Sequence, residues 1–161
     1  MKKYISILIV IVITLSGCKN KADEKSIILS PTDILSQGDI KEYIDFTPVL
    51  EESETTNSKT VKFKNSTAGA SDIIEVTVYS EKENFSKTDI EDRFKFYKEK
   101  TIQYNSLIPA EGLEAECFIA IPSIYILKDG YMVVITAGSG GEDAQINLLR
   151  SLAEVAIKNI K

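Results

Sequence analysis

The dipeptide Asp129-Gly130 stands between two β-rich segments, residues 123–128 and residues 131–137. Aspartate and glycine tolerate the positive φ angles of a two-residue hairpin turn, and isoleucine, valine and tyrosine favour the strands on either side. The sequence therefore predicts an antiparallel hairpin in which Lys128 faces Tyr131. Because both faces of this hairpin carry apolar side chains, we expect helices to cover the sheet on both sides.

Two longer helices are predicted from apolar residues at steps of three and four. The first carries Ile90, Phe94, Tyr97, Thr101 and Tyr104 on one face. Core packing is favoured over a ligand-binding wall for this aromatic stripe. The second helix carries Ile146, Leu149, Leu152, Ala153, Ala156 and Ile160. A short helix is expected to open at Ser30, with Pro31 in its first position, and to end at Gly38.

Further strands are predicted where apolar and polar residues alternate. In residues 61–64 Val61 and Phe63 alternate with two lysines. Residues 74–78 repeat the alternation after a turn, so we expect the two segments to pair antiparallel. Residues 114–121 are another β-rich run, whereas residues 46–52 contain Pro48 and can form only an edge strand. This order of elements predicts an α+β domain built on an antiparallel sheet.

The N-terminal region has the features of an export signal. Two lysines precede residues 4–15, an apolar stretch shorter than the roughly 20 residues that a membrane-spanning helix needs. The tetrapeptide Leu15-Ser16-Gly17-Cys18 then resembles the bacterial lipobox, in which small residues precede a cysteine whose thiol accepts a diacylglycerol. We expect residues 1–17 to be removed as a signal peptide and Cys18 to carry acyl chains such as palmitate.

The segment after the lipobox is polar and without periodicity. Residues 18–26 are expected to act as a tether, and residues 27–161 to form one domain. Cleavage before Cys18 removes two lysines and changes the formal net charge from −5 to −7. Anionic lipid repels such a protein, so we expect the acyl chains to hold it at the membrane. Because the chain has more acidic than basic residues, it has no general positive field that would attract the phosphates of a nucleic acid.

One cysteine remains when Cys18 is acylated. Cys117 then has no partner for a disulfide within the chain. In the alternation of its strand Cys117 shares a side with Ile119, so the sequence predicts a buried and inert thiol.

The composition removes the residues on which most enzyme classes depend. The chain has no histidine and no tryptophan, so it lacks the commonest general base and the usual catalytic triads. We therefore assign no catalytic residue, no cofactor and no metal ligand.

Three groups of polar residues are candidates for chemistry, and each has a simpler interpretation. Gly138-Ser139-Gly140-Gly141 could form an anion-binding nest, but Glu142 and Asp143 would repel an anion there. The acidic residues before the hairpin could offer oxygen ligands to a metal ion, but their interpretation as the solvated edge of a strand is favoured. These residues are Glu111, Glu114 and Glu116. The pairs Asp89/Asp92 and Glu142/Asp143 could serve acid–base chemistry, without further support.

Three segments carry a resemblance to a known family. Residues 112–116, 124–138 and 148–153 resemble small bacterial lipoproteins with the PsbP-like α/β/α sandwich. The resemblance extends over residues 27–161 and rests on hydrophobic and turn patterns. It implies an antiparallel sheet flanked by helices on both faces. Members that act as sensor or adaptor modules imply binding rather than catalysis.

These observations lead to one hypothesis and two alternatives. We expect an extracytoplasmic lipoprotein, anchored to the bacterial cell membrane through Cys18, that acts as a non-enzymatic binding or adaptor module for an envelope protein or a small ligand. Its polar loops, residues 53–59, 65–72 and 138–141, are expected to carry recognition. A carboxylate-dependent envelope hydrolase is the alternative. A transport solute receptor is disfavoured because the chain lacks two lobes that could close over a ligand.

Overall fold

The computed structural model describes residues 29–55, 58–67, 73–80, 87–138 and 141–161. The helices in these ranges are α1 (Pro31–Ile34), α2 (Gln37–Lys41), α3 (Lys87–Gln103) and α4 (Glu142–Asn159). The strands are β1 (Val49–Glu54), β2 (Lys59–Lys64), β3 (Ile73–Ser80), β4 (Ile108–Pro109), β5 (Glu116–Ala120), β6 (Ser123–Lys128) and β7 (Tyr131–Ala137).

The seven strands of the described ranges form one antiparallel sheet in the order β1-β2-β3-β7-β6-β5-β4. Strands β1 to β3 make one meander and β4 to β7 another, and α3 lies between the two meanders in the chain. The meanders join at the pairing of β3 with β7, where Val76 is opposite Ile135. The chain is therefore an α+β protein with an antiparallel sheet, as the sequence predicts.

The hairpin that the sequence predicts joins β6 to β7. Asp129 and Gly130 have φ angles of 49° and 81°, the left-handed values that a two-residue turn of this kind requires. Lys128 is opposite Tyr131. The predicted register is confirmed.

Two hydrophobic clusters pack the helices against the sheet. The larger cluster combines buried residues of α1 and α4 with residues of β2, β3, β6 and β7, among them Leu149 and Ile135. The smaller cluster consists of Ile90, Phe94, Phe118 and Met132 with partly buried neighbours. Along β7 the odd-numbered residues belong to the larger cluster and the even-numbered Met132 and Val134 to the smaller.

The first short helix begins as predicted and ends earlier. Ser30 precedes α1, Pro31 occupies its first turn, and the Ser30 backbone N–H donates to the Asp33 carboxylate at 3.1 Å. Gly38 does not end this helix, because it lies inside α2. Ser36 starts α2 by accepting a hydrogen bond from the backbone N–H of Asp39 at 3.2 Å, which favours a second helix over a simple stop.

Two predicted strands have different bounds in the structure. The edge strand expected at residues 46–52 is β1, Val49–Glu54. It extends into residues 53–54, which the sequence assigns to a loop. In the extension Glu54 is opposite Lys59 of β2 and forms an ion pair with it. The run at residues 114–121 is shorter, as β5 covers Glu116–Ala120. The short strand β4 was not anticipated.

The predictions for Cys117 and for the aromatic stripe are confirmed only in part. Cys117 contacts the larger cluster, but it is partly buried rather than buried. In the stripe Ile90, Phe94 and Thr101 are buried. Tyr97 is partly buried, and Tyr104 follows the end of α3 and is 74% exposed. The stripe therefore enters the core at its start and leaves it towards its end.

Candidate functional site

One side of α3 borders a cavity of about 380 Å³, which we call the α3 groove. Its lining residues are Asp89, Asp92, Arg93, Phe96 and Tyr97. Their spacing of three and four residues places them on one face of the helix. The apolar anchors Ile90 and Phe94 hold the opposite part of the helix against the sheet. The groove is therefore built by the same packing that fixes α3.

Three tyrosines from three elements meet beside this groove, and we call them the tyrosine cluster. Tyr79 lies on β3, Tyr97 on α3 and Tyr125 on β6, and each is partly buried. The rings of Tyr97 and Tyr125 have centroids 5.3 Å apart at an angle of 33°. The guanidinium carbon of Arg93 lies 5.0 Å from the centroid of the Tyr79 ring. Tyr97 and Arg93 thus belong to both the cluster and the groove.

The phenol groups of the cluster influence one another. Burial raises the pKa of Tyr79, and the neighbouring Tyr97 raises it further, while the charge of Arg93 and its hydrogen bond lower it. Burial also raises the pKa of Tyr125, followed by the effects of Tyr97 and Tyr79. Both hydroxyl groups therefore stay protonated at neutral pH. A neutral phenol can donate one hydrogen bond and accept others, so the cluster offers both functions to a ligand.

The sheet face that carries Tyr79 and Tyr125 is polar beyond the cluster. The hydroxyls of Thr60 and Thr77 hydrogen-bond at 2.9 Å across β2 and β3. Lys62 and Glu75 form an ion pair at 3.1 Å on the same face. The hydroxyls of Ser123 and Thr136 are 2.8 Å apart across β6 and β7. Hydroxyl and charged side chains, of which those of Thr77 and Ser123 are buried, therefore occupy this face of the sheet beyond the tyrosine cluster.

Phe96 is the exposed aromatic ring of the groove. It is 55% exposed, and it meets Tyr97 edge to face with centroids 5.8 Å apart. The ammonium group of Lys100 lies 5.7 Å from its centroid. An aromatic ring left in solvent beside a polar cavity is the feature of the groove that a stable core does not require.

The structure brings one predicted carboxylate pair to this site. Asp89 and Asp92 both line the α3 groove, and both are exposed. The other pair, Glu142 and Asp143, lies in the first turn of α4. Glu142 borders a separate cavity of about 500 Å³ together with Gln145. The two pairs therefore do not form one centre.

The remaining candidates from the sequence are dispersed or lie outside the described residues. Glu116 forms an ion pair with Lys98 at 2.8 Å, and Glu114 borders a different cavity of about 170 Å³. Among the described residues no group of three His, Cys, Asp or Glu side chains could hold a metal ion. Gly141 of the predicted nest is the N-cap residue of α4. Ser139 and Gly140 of the same nest lie outside the described residues.

The lipobox residues Leu15, Ser16, Gly17 and Cys18, with the whole predicted signal peptide and tether, also lie outside the described residues. Parts of the three predicted recognition loops do so as well, namely residues 56–57, 68–72 and 139–140. The structure therefore leaves the acylation of Cys18 as a prediction. No helix in the described ranges is long and apolar enough to cross a membrane.

Sequence reasoning missed Tyr79, Tyr125 and Arg93. Tyr125 and Arg93 sit at positions that the sequence assigns to a strand and a helix, and Tyr79 directly follows the strand expected at residues 74–78, but no motif links the three. The available cue was a tyrosine in each of two β-rich runs, which a half-buried strand face also explains.

Comparisons with known proteins identify no similar protein. No protein-family model, no curated protein and no solved structure matches the chain.

Proposed function

We propose that the protein is a non-enzymatic binding module of the bacterial cell envelope, held at the extracytoplasmic side of the membrane by an acylated Cys18. In this proposal the α3 groove receives an envelope component, either a protein or a small ligand. The lipobox-like tetrapeptide supports the anchor. The groove supports the binding role.

One observation carries the binding role. Partly buried tyrosines from β3, α3 and β6 pack against one hydrophobic cluster, and one of them, Tyr97, borders a cavity of about 380 Å³ together with an exposed aromatic ring. Ligand sites typically have volumes of roughly 300–1,000 Å³ and combine aromatic walls with a few polar groups. Rigid aromatic rings lose little side-chain entropy on binding, which makes them effective contact residues.

A second part of the proposal concerns the helices that pack on the sheet. We infer that helices cover both faces, as in the PsbP-like sandwich that the sequence resembles. Val133 and Ile135 pack with the cluster that contains α4, whereas Met132 packs with the cluster that contains α3. Neighbouring residues of a strand point to opposite faces, which supports this α/β/α arrangement.

A crosslinking experiment in cells tests the binding role. A photoreactive phenylalanine analogue is placed at position 96 or at position 102 of the full chain. Phe96 and Ile102 are matched because both lie on α3 and both are 55% exposed. Ile102 borders a different cavity on the other side of the helix.

We expect light-dependent adducts with an envelope component from position 96 and fewer from position 102. The same adducts should be lost when the analogue at position 96 is combined with Tyr97→Ala. Equal labelling from both positions, or labelling that survives Tyr97→Ala, would rule out the groove as the binding site.

The alternative of an envelope hydrolase also has a specific observation in its favour. Asp89 and Asp92 line the same cavity beside an aromatic ring. However, both carboxylates are exposed, and a general acid is usually prepared by burial or by a close charge. Turnover of envelope glycan or peptide fragments by the purified chain, lost in Asp92→Asn, would establish the hydrolase and refute the non-enzymatic role.

A further inference from the structure

We propose that the ligand of the α3 groove is a neutral saccharide. This inference rests on the proposed function, because it takes the groove to be a binding site and identifies the class of ligand. Four ligand classes can be compared with the charges and contacts of the groove: anions, cations, apolar molecules and neutral polyhydroxylated molecules.

An anionic ligand meets unfavourable charges. Asp89 and Asp92 both border the cavity and are exposed to it. Arg93 is the cation that borders the cavity, and it already interacts with the Tyr79 ring. Two exposed carboxylates beside one engaged guanidinium disfavour phosphate and carboxylate ligands.

A cationic ligand would compete with the protein's own cations. Cations bind aromatic rings over their faces, within about 6 Å of the centroid. Arg93 lies 5.0 Å from the centroid of Tyr79, and Lys100 lies 5.7 Å from that of Phe96. These positions are the ones that a ligand ammonium group would need. The rings are therefore poorly available as a cation cage.

An apolar ligand would leave polar groups without solvent. It would cover Asp92, Arg93 and the Tyr97 hydroxyl, and it could not hydrogen-bond to any of them. Covering a polar group without replacing its hydrogen bonds to water weakens binding. An apolar occupant is therefore disfavoured in the groove.

A neutral saccharide satisfies both kinds of surface. Its hydroxyl groups can donate to the exposed Asp92 carboxylate and accept from the Tyr97 phenol. The C–H groups of a sugar ring carry a small positive charge and can pack on the part of the Phe96 ring that stays exposed beside Lys100. The cavity of about 380 Å³ is open to solvent, so a short oligosaccharide can bind in it and extend beyond it.

The test is a calorimetric titration of the full acylated chain in a detergent without a sugar headgroup. The probes are tetramers of N-acetylglucosamine and of glucose, with inorganic phosphate, spermidine and a proline-rich decapeptide as competing classes. Two groove variants are used. Phe96→Ala removes the exposed ring, and Tyr97→Phe keeps the ring but removes the hydroxyl.

The matched controls lie outside the groove. Tyr104→Phe removes a phenol that is 74% exposed, and Ile102→Ala removes an apolar side chain with the same exposure as Phe96. We expect saturable binding of at least one tetramer. Phe96→Ala should weaken it about tenfold, and Tyr97→Phe about threefold to tenfold, the range for loss of one hydrogen bond. Both controls should bind within about twofold of the unchanged chain.

Absence of saturable binding for both tetramers, or equal binding by the groove variants, would overturn the saccharide proposal. Tighter binding of phosphate, spermidine or the peptide, lost in Phe96→Ala, would also overturn it and would name the correct class. The binding role itself is decided separately by the adducts from position 96 in cells. Adducts with an envelope component together with inert tetramers would refute only the ligand class.

Discussion

The ring of Phe118 lies parallel to that of Tyr125, with centroids 4.6 Å apart and an angle of 5° between the planes. Phe94 meets the same Phe118 edge to face at 5.2 Å. Tyr125 in turn contacts Tyr97 at the groove. A continuous series of aromatic contacts therefore links the smaller hydrophobic cluster to the tyrosine cluster, so the position of the phenols depends on the packing of the core.

The first prediction compares two phenylalanines of α3. Phe94 is 2% exposed and Phe96 is 55% exposed. Phe94→Ala should lower the free energy of unfolding by about 3–4 kcal/mol, because it opens a cavity next to Phe118. Phe96→Ala should change it by less than about 1 kcal/mol. Urea unfolding of both variants measures the difference, and equal losses would show that the exposed ring is structural rather than part of a binding site.

The hairpin could be predicted from the sequence because its determinants are local. Asp129-Gly130 supplies both positive φ angles, and the flanking runs supply the strands. The same holds for α4, whose apolar face follows its helical spacing. Neighbouring residues decide each of these elements.

The tyrosine cluster could not be predicted in this way. Tyr79, Tyr97 and Tyr125 belong to separate elements, and their meeting depends on the strand order β3-β7-β6 and on where α3 crosses it. Strand order in a sheet is a non-local property that periodicity does not encode. The acidic strand β1 illustrates the same limit, because its lysine partners on β2 are visible only after pairing.

The second prediction concerns the thiol of Cys117. Burial, together with the neighbouring Glu116, raises its pKa from 9.0 to about 11. The thiolate is the reactive form, so at pH 8 alkylation of the folded protein should be about 100-fold slower than in denaturant. The rate should rise about tenfold per pH unit until the pH approaches 11.

The same shift has a consequence for stability. The folded state favours the neutral thiol, so the stabilisation is complete below pH 9 and is lost as the pH rises towards 11. Cys117→Ala should therefore remove part of the fall in stability above pH 9. Alkylation of the native chain at the denatured rate would contradict the protected position of this thiol.

The third prediction concerns the end of α4. The ammonium group of Lys128 on β6 donates a hydrogen bond to the carbonyl oxygen of Ile157 at 2.6 Å. The last carbonyls of a helix lack partners within the helix and carry partial negative charge. Lys128→Met should therefore lower the free energy of unfolding by about 1–2 kcal/mol.

Lys158→Met is the matched control, because Lys158 is an exposed lysine in the last turn of the same helix. Its effect should stay below about 0.5 kcal/mol. Thermal unfolding of both variants checks the pair. Similar stabilities of the two would mean that the contact of Lys128 with the helix end contributes nothing measurable.

The fourth prediction returns to Cys18 and the anchor. Two acyl chains suffice for stable attachment to a bilayer, because each buried CH₂ contributes about 0.8 kcal/mol. The unchanged chain expressed in bacteria should therefore partition into the detergent phase. Cys18→Ser should appear in the aqueous phase or accumulate as an uncleaved precursor, which intact mass distinguishes. Cys117→Ser is the control for loss of a thiol and should stay in the detergent phase. Cys18→Ser protein that is cleaved normally and still enters the detergent phase would refute the lipid anchor, and the binding groove would then need another route to the envelope.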